Sequence, residues 1–267
     1  MFFRRQKGNA YLLRDRFLGF KLRFFGYVKM PVLPDKVTDA LLSYINEKNV
    51  TYLNGIYNSV VLNDVALRHD QDRIIRAQIA AYLDKYLVDY KIIFSTYFLK
   101  RKAVQNTVGF HQDPTSVDYQ NFDDFTLWFP LVDTDKTGTG RIQVSRFSHN
   151  QYSKLNFSDY VFFHEYLKSF NGRLTTLNLR KGEPVLFYNN LIHASEVNNV
   201  FDNRPAITIK ITNKDAKITV YHVVNWEKRI IDMYRTDDEL YYVKNGWDES
   251  QKPLNASFYK RITIPFD

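Results

Sequence analysis

Gly109-Phe110-His111-Gln112-Asp113-Pro114, and Asn190-Leu191-Ile192-His193-Ala194-Ser195, whose histidine lies 82 positions past His111, are the stretches from which the fold of this chain can be read. In a strand, residues i and i+2 project to the same side, so His111 and Asp113 can converge on one ion. Two imidazoles and one carboxylate occupy one face of a metal and leave the opposite positions open, a donor set that suits non-haem Fe(II). Arg204 lies 11 residues beyond His193. A guanidinium there can grip a carboxylate through two parallel hydrogen bonds. The H-x-D tripeptide alone is equally compatible with a loop histidine capped by its neighbour, so the flanking text has to decide.

From Gly109 to His149 the chain reads GFHQDPTSVDYQNFDDFTLWFPLVDTDKTGTGRIQVSRFSH. An H-Q-D is followed by a tryptophan-bearing strand, a glycine-bearing turn, a short strand and Ser-His. From Lys181 to Ile211 it reads KGEPVLFYNNLIHASEVNNVFDNRPAITIKI, with Gly, an apolar strand, His-x-Ser, Asn and Arg in order. In this ordered combination residues 91–213 resemble the phytanoyl-CoA dioxygenase family. The resemblance implies a mainly β protein with flanking helices: a double-stranded β-helix (jelly roll, cupin-like) with N-terminal helices packed on the major sheet. It also implies a dioxygenase that needs Fe(II), 2-oxoglutarate and O2. Carried over residue by residue, it implies iron bound by His111, Asp113 and His193, the distal carboxylate of 2-oxoglutarate held by Arg204, and Trp128 against that cosubstrate. Two features depart from the family pattern. Arg146-Phe147 stands where Pro-Gly usually precedes Ser-His, so that turn is built differently. Ala206 stands where a small polar residue is expected, which leaves Thr126 and Thr208 as candidate second contacts to 2-oxoglutarate.

Composition bounds the alternatives. With 267 residues, 45% of them hydrophobic, the chain is long enough for one domain spanning 1–267 with a full core. Aromatic residues at 16% favour a strand-rich protein with bulky packing. There is no cysteine, which excludes disulfides and thiolate metal sites and leaves histidine and carboxylate as the strong ligands. A cytoplasmic location is the expectation. Residues 1–30 hold eight Lys/Arg against the single acid Asp15, so this arm carries +7 of the net +8. The same stretch is rich in Phe and Leu. It reads as an outer strand or helix packed on the body, or as a basic aromatic arm that touches an anionic membrane surface or an acidic partner. No apolar run approaches a membrane span. The rest of the chain is almost neutral and shows no recognition motif, which argues against nucleic acid.

Periodicity predicts helices over about 34–48 and 65–90, with apolar residues at helical spacing. From residue 91 the texture changes to short strands at 91–99, 104–110, 124–132, 140–146, 174–180, 184–189, 204–212 and 217–224, giving a β-helix core over 91–224. Residues 150–172 read as an insertion or lid containing a short helix, and about 225–236 as a final helix. Asp123 and Asp124 are a poor acid/base pair, because adjacent strand residues face opposite ways. His149, at a strand end, reads as a turn or supporting residue rather than a ligand.

The chemistry expected is hydroxylation of a C–H bond in a small polar, even anionic, metabolite or natural-product intermediate. Oxidative cyclisation and desaturation share the same ligands and differ in substrate placement. Related halogenases carry a small residue at the carboxylate position, so Asp113 argues for hydroxylation. Two further readings stay open at this point: a Zn(II) hydrolase or isomerase on the same triad, and a non-catalytic jelly-roll binding module. Substrate contacts are expected from 113–124, the 150–172 insertion and the C-terminal segment, with Tyr119, Gln120, Arg146 and His164 as candidates.

Overall fold

The computed structural model describes residues 12–48, 55–103, 107–157 and 172–264. They run in the order α1 (Arg16–Phe25), β1 (Tyr27–Lys29), α2 (Asp35–Asn46), β2 (Ile56–Asn58), α3 (Val65–Tyr86), β3 (Tyr90–Arg101), β4 (Val108–His111), β5 (Asp124–Pro130), β6 (Ile142–Val144), β7 (Thr175–Thr176), β8 (Val185–Tyr188), β9 (His193–Ser195), β10 (Asn203–Asn213), β11 (Ile218–Asn225), β12 (Ile230–Thr236), α4 (Tyr241–Asn245) and β13 (Ser257–Thr263). A six-stranded major sheet, in the order β1-β8-β5-β10-β3-β2, faces a four-stranded minor sheet, β4-β9-β6-β7, and every pairing is antiparallel. This is a mainly β fold of the cupin-like, double-stranded β-helix kind.

Alternation along the two central strands sorts the major sheet into faces. Phe125, Leu127 and Phe129 of β5 and Ile207, Ile209 and Ile211 of β10 join one cluster with Leu41 and Ile45 of α2 and Ile75, Ile79 and Leu83 of α3. Each such side chain stabilises the fold by about 1.5–3 kcal/mol when fully buried. The intervening residues, Thr126 and Trp128 on β5 and Arg204, Thr208 and Lys210 on β10, turn the other way and line a cavity. One face therefore holds the helices, and the other is free to carry polar side chains.

The two predicted helices form with boundaries shifted slightly: α3 stops at Tyr86, where Leu87 turns to extended backbone and leads into β3. The helix expected over 225–236 does not form. Ile230–Thr236 is a strand instead, the middle of a third sheet, β11-β12-β13, reached through a turn that holds Arg229 at φ +52°. β12 is covered on both faces, so it lacks the alternation that marks a strand. Ile231 and Met233 pack with Leu155 and Phe157, while Tyr234 packs with Ile218 and Tyr242. β11, expected at 217–224 as the last strand of the β-helix, belongs to this third sheet. The expected strand at 174–180 is reduced to Thr175–Thr176 plus a bridge from Leu179 to Thr134. The helix expected within 150–172 lies almost wholly outside the described residues. No described helix is long and apolar enough to cross a membrane.

Candidate metal centre

His111 and His193 are direct partners across the β4–β9 pair, at the edge of an irregular register. The strand ends at His111, so Asp113 lies just past it rather than in it. The Gln112 side-chain amide donates to the Asn190 carbonyl at 2.5 Å, and Asp113 sits beside both histidines. The Asp113 backbone is pinned from β8's end: its N–H donates to the Asn189 carbonyl at 2.8 Å, and the Asn189 amide donates back to its carbonyl at 3.1 Å. One donor atom from each of His111, Asp113 and His193 lies within 4.8 Å of the others, close enough to share an ion.

The tautomers follow from local hydrogen bonds. Nδ1 of His111 lies 2.9 Å from the Gly109 carbonyl, and Nδ1 of His193 lies 2.9 Å from the Leu191 carbonyl. A carbonyl can only accept, so each Nδ1 carries a proton, which makes Nε2 the atom left to bind an ion. Both Nε2 atoms point at Asp113 Oδ1, at 3.9 Å and 3.6 Å. Burial, helped by the neighbouring His111, pulls the His193 imidazole down to about 4, so it is neutral and ready to ligate near pH 7. Burial alone would push the Asp113 carboxyl up. Lys210, the two histidines and the Thr126 hydroxyl outweigh it and hold the group below the usual carboxylate range.

The second oxygen of Asp113 is held from the opposite side. Thr126 donates its hydroxyl to Oδ2. Lys210 Nζ sits 3.9 Å from the same oxygen and 3.8 Å from Asp124 Oδ2. Lys210 is buried and its ammonium makes no hydrogen bond. Asp124 also accepts from the Ser116 N–H at 2.9 Å and hydroxyl at 2.5 Å, and burial raises its carboxyl. Oδ1 is thus left for an ion while Oδ2 is occupied, an arrangement that favours one-oxygen ligation. Outer partners of this kind typically tune metal affinity by about 10–100-fold. Lys210→Met is therefore expected to weaken Ni(II) binding by about 10–100-fold, read by calorimetric titration. Unchanged affinity would make Lys210 a counter-ion of Asp124 only.

Arg204 is fully buried, with its guanidinium between the Trp128 ring at 5.3 Å and the Phe98 ring at 5.7 Å. Its Nε and Nη1 have no hydrogen-bond partner. Burial lowers its proton affinity, but a guanidinium stays charged at neutral pH. A buried cation with unpaired donors is costly unless an anion meets it. Gly140, at φ +72°, makes room for it, since a Cβ there would lie 3.1 Å from Nε. Lys100, the cross-strand partner of Arg204, spends its ammonium on the Ser195 and Glu196 carbonyls at 3.3 and 2.8 Å. Burial and the neighbouring Arg204 bring that group down to about 7.

The triad, Arg204, Trp128, Thr126, Thr208 and Lys210 line one cavity of about 1000 Å³. Thr208 lies between Thr96 and Trp128 in register and remains placed for a ligand contact. The hydroxyl of Thr126 is engaged by Asp113 instead. Beyond the triad the cavity runs on to Asn58, Phe94 and the segment 241–254. There Trp247 stacks on Tyr242 at 4.2 Å and meets Phe94 edge-on at 5.8 Å. Of the substrate candidates, Tyr119, Gln120 and Arg146 do not line this cavity. Tyr119 packs against the cluster around Tyr221, Gln120 accepts from Lys260 at 2.7 Å, and Arg146 lies over Phe25. His164 lies outside the described residues. His149 stacks on Tyr188 at 5.0 Å, and its ring is held by the Arg23 carbonyl at 3.0 Å, away from the triad. Lys210 was missed in the sequence, although it sits on the face of β10 that carries Arg204 and Thr208.

No family model matches the sequence, and no curated protein matches it either. Solved structures do. SnoN, a non-heme alpha-ketoglutarate-dependent epimerase from nogalamycin biosynthesis, in complex with Fe3+, alpha-ketoglutarate and nogalamycin RO, superposes with a TM-score of 0.57 at 17% identity, covering 76% of this chain and 85% of its own. SnoK, a non-heme alpha-ketoglutarate-dependent carbocyclase from the same biosynthesis, gives 0.56 at 15% identity, covering 76% and 86%. HygX from Streptomyces hygroscopicus, with nickel and 2-oxoglutarate bound, gives 0.54 at 12% identity, covering 75% and 88%. At these identities the likeness establishes a shared fold.

Proposed function

We propose that this chain is an Fe(II)- and 2-oxoglutarate-dependent dioxygenase that oxidises, by hydroxylation, a C–H bond of a bulky polar small molecule. What carries the reading is one cavity with a two-histidine, one-carboxylate cluster and a buried guanidinium whose Nε and Nη1 have no partner. The residues fit the group. Two imidazoles and a carboxylate supply three ligands on one side, and Arg204 supplies the fork for a distal carboxylate. A zinc hydrolase has no use for such an arginine, and a binding module needs no such triad.

When bound, Fe(II) with 2-oxoglutarate and O2 supplies the oxidising power, and succinate and CO2 are released. The chain's own residues do the positioning. His111 and His193 present Nε2, Asp113 presents Oδ1, and Thr126 and Lys210 fix Oδ2. Arg204 and Thr208 orient the cosubstrate, while Trp128, Phe98 and Phe187 wall it off from water. The remaining space toward Tyr242, Trp247 and Phe94 is the substrate's. An aromatic wall beside Asn58, Asp248 and Lys252 suits a ring-bearing polar molecule of natural-product or sugar-conjugate type better than a bare acyl chain. Neighbouring enzymes of this fold are described with nogalamycin RO and with hygromycin B bound, which is in keeping with that size.

The test is Fe(II)-dependent succinate release from 2-oxoglutarate, screened across polar metabolites and sugar conjugates for stimulation. Iron-dependent release that rises with one compound supports the reading. Zn(II)-dependent hydrolysis of a screened compound with no succinate formed would install the hydrolase, and no metal-dependent turnover of either kind the binding module.

A further inference from the structure

The surface of α1 carries a feature that the oxygenase chemistry does not use. Phe17, Phe20 and Phe24 are 63%, 52% and 48% exposed, and Phe147, on the turn before Ser148, is 39% exposed. At 3.6 residues per turn the three helical phenylalanines share one face, while Gly19 and Leu22 are buried on the other. Three of the rings touch in a line: Phe20 stacks on Phe24 at 5.6 Å, and Phe147 meets Phe24 edge-on at 5.3 Å. Phe147 holds φ +69°, a backbone region that a non-glycine residue adopts at a cost. Single exposed apolar residues are ordinary on proteins, but a contiguous aromatic ridge is not.

Cations flank the ridge. On the helical wheel Arg16 and Arg23 fall on one side of the phenylalanines and Lys21 on the other, with Lys21 Nζ 4.3 Å from the Phe17 ring centre. Arg146 adds a further cation beside Phe25. The single acid between residues 12 and 30, Asp15, is occupied as the N-cap and accepts from the Phe17 and Leu18 N–H groups at 2.8 and 3.0 Å. None of these residues lines the cavity. In sequence, Phe2, Phe3, Arg4, Arg5 and Lys7 precede the helix with the same chemistry.

We propose that this face docks α1 on an anionic phospholipid bilayer, with the phenylalanine ridge at the acyl boundary and Arg16, Lys21 and Arg23 among the headgroups. Apolar residues at the centre of the exposed arc and cations at its margins are what an interfacial helix lying in the membrane plane requires. Each cation near an anionic surface adds to the attraction. A second copy fits less well. A two-fold interface would press the same patch against itself and set each cation against its like.

The test is co-sedimentation of the full chain with phosphatidylcholine vesicles, with and without about one third phosphatidylglycerol. Binding is expected to the anionic vesicles and to fall at least about tenfold on neutral ones, and likewise in about 1 M salt, where the screening length shrinks to about 3 Å. Phe17→Ser/Phe20→Ser/Phe24→Ser should cut binding at least about tenfold. Its thermal melt should stay unchanged, because the side chains replaced are exposed. Arg16→Gln/Lys21→Gln should erase most of the preference for anionic lipid. Absence of binding to anionic vesicles overturns the proposal, as does binding that survives the triple phenylalanine substitution. So does a wild-type dimer that the triple variant dissolves while neither binds vesicles. The assay involves no turnover, so its outcome is independent of the oxygenase reading.

Discussion

Asp113→Ala is expected to abolish iron retention, and with it all succinate release. The carboxylate is the single anionic donor of the cluster, and its Oδ1 faces both Nε2 atoms. Losing an outer hydrogen-bond partner of a ligand costs about 10–100-fold in metal affinity, and losing the ligand itself costs more. The substitution also leaves Lys210 with Asp124 as its remaining acid within 4 Å and frees the Thr126 hydroxyl. Neither change removes apolar packing, so the fold should survive, and a circular dichroism spectrum like that of the wild type separates loss of metal from loss of structure. Equilibrium dialysis against Fe(II) under anaerobic conditions measures the first directly. A variant that kept wild-type affinity would make Asp113 a bystander and point to Asp118, Asp123 or Glu196 as the third ligand. The structure already argues against all three. Asp118 is tied to Arg235 at 2.6 Å, Asp123 to Lys154, and Glu196 to Arg141 at 2.7 and 2.9 Å.

Arg204→Lys is expected to raise the 2-oxoglutarate concentration needed for half-maximal turnover by about 10–100-fold, while metal affinity stays within about twofold. The charge is kept, but the planar fork is lost, and the slot between Trp128 and Phe98 is shaped for a flat guanidinium. A hydrogen bond to a charged group contributes about 1.5–3 kcal/mol, which sets the range. Steady-state kinetics with varied 2-oxoglutarate, paired with the same dialysis, tests it. Unchanged 2-oxoglutarate dependence would show that the anchor lies elsewhere in the cavity.

The clustering of His111, Asp113 and His193 was legible because its geometry is local. His111 and Asp113 need only a strand or its irregular end, and His193 and Arg204 follow in order on two consecutive strands. The faces of β5 and β10 were equally legible, since Phe125-Leu127-Phe129 and Ile207-Ile209-Ile211 alternate with polar residues. The same alternation pointed to Lys210, which was within reach and was not used. β12 was misread because burial on both faces removes the period-two signal on which a strand assignment depends. The outer wall of the cavity could not be read at the level of residues. Segment 241–254 reaches the cavity through long-range contacts such as those of Arg68, which donates to the Val243 and Lys244 carbonyls at 2.8 Å each. No local pattern encodes a contact between residues so far apart in the chain. Tyr119, Gln120 and Arg146, expected from the variable segments, are spent on packing and surface pairs instead.

The central claim is tested most directly by a crystal structure of the protein grown anaerobically with Fe(II) and 2-oxoglutarate. The account places one iron within about 2.0–2.3 Å of Nε2 of His111, Nε2 of His193 and one carboxylate oxygen of Asp113, by analogy with other first-row metal sites. It places the distal carboxylate of 2-oxoglutarate in a two-pronged hydrogen bond with Arg204. Iron bound away from the triad, or 2-oxoglutarate seated with Arg204 still unpaired, would contradict it.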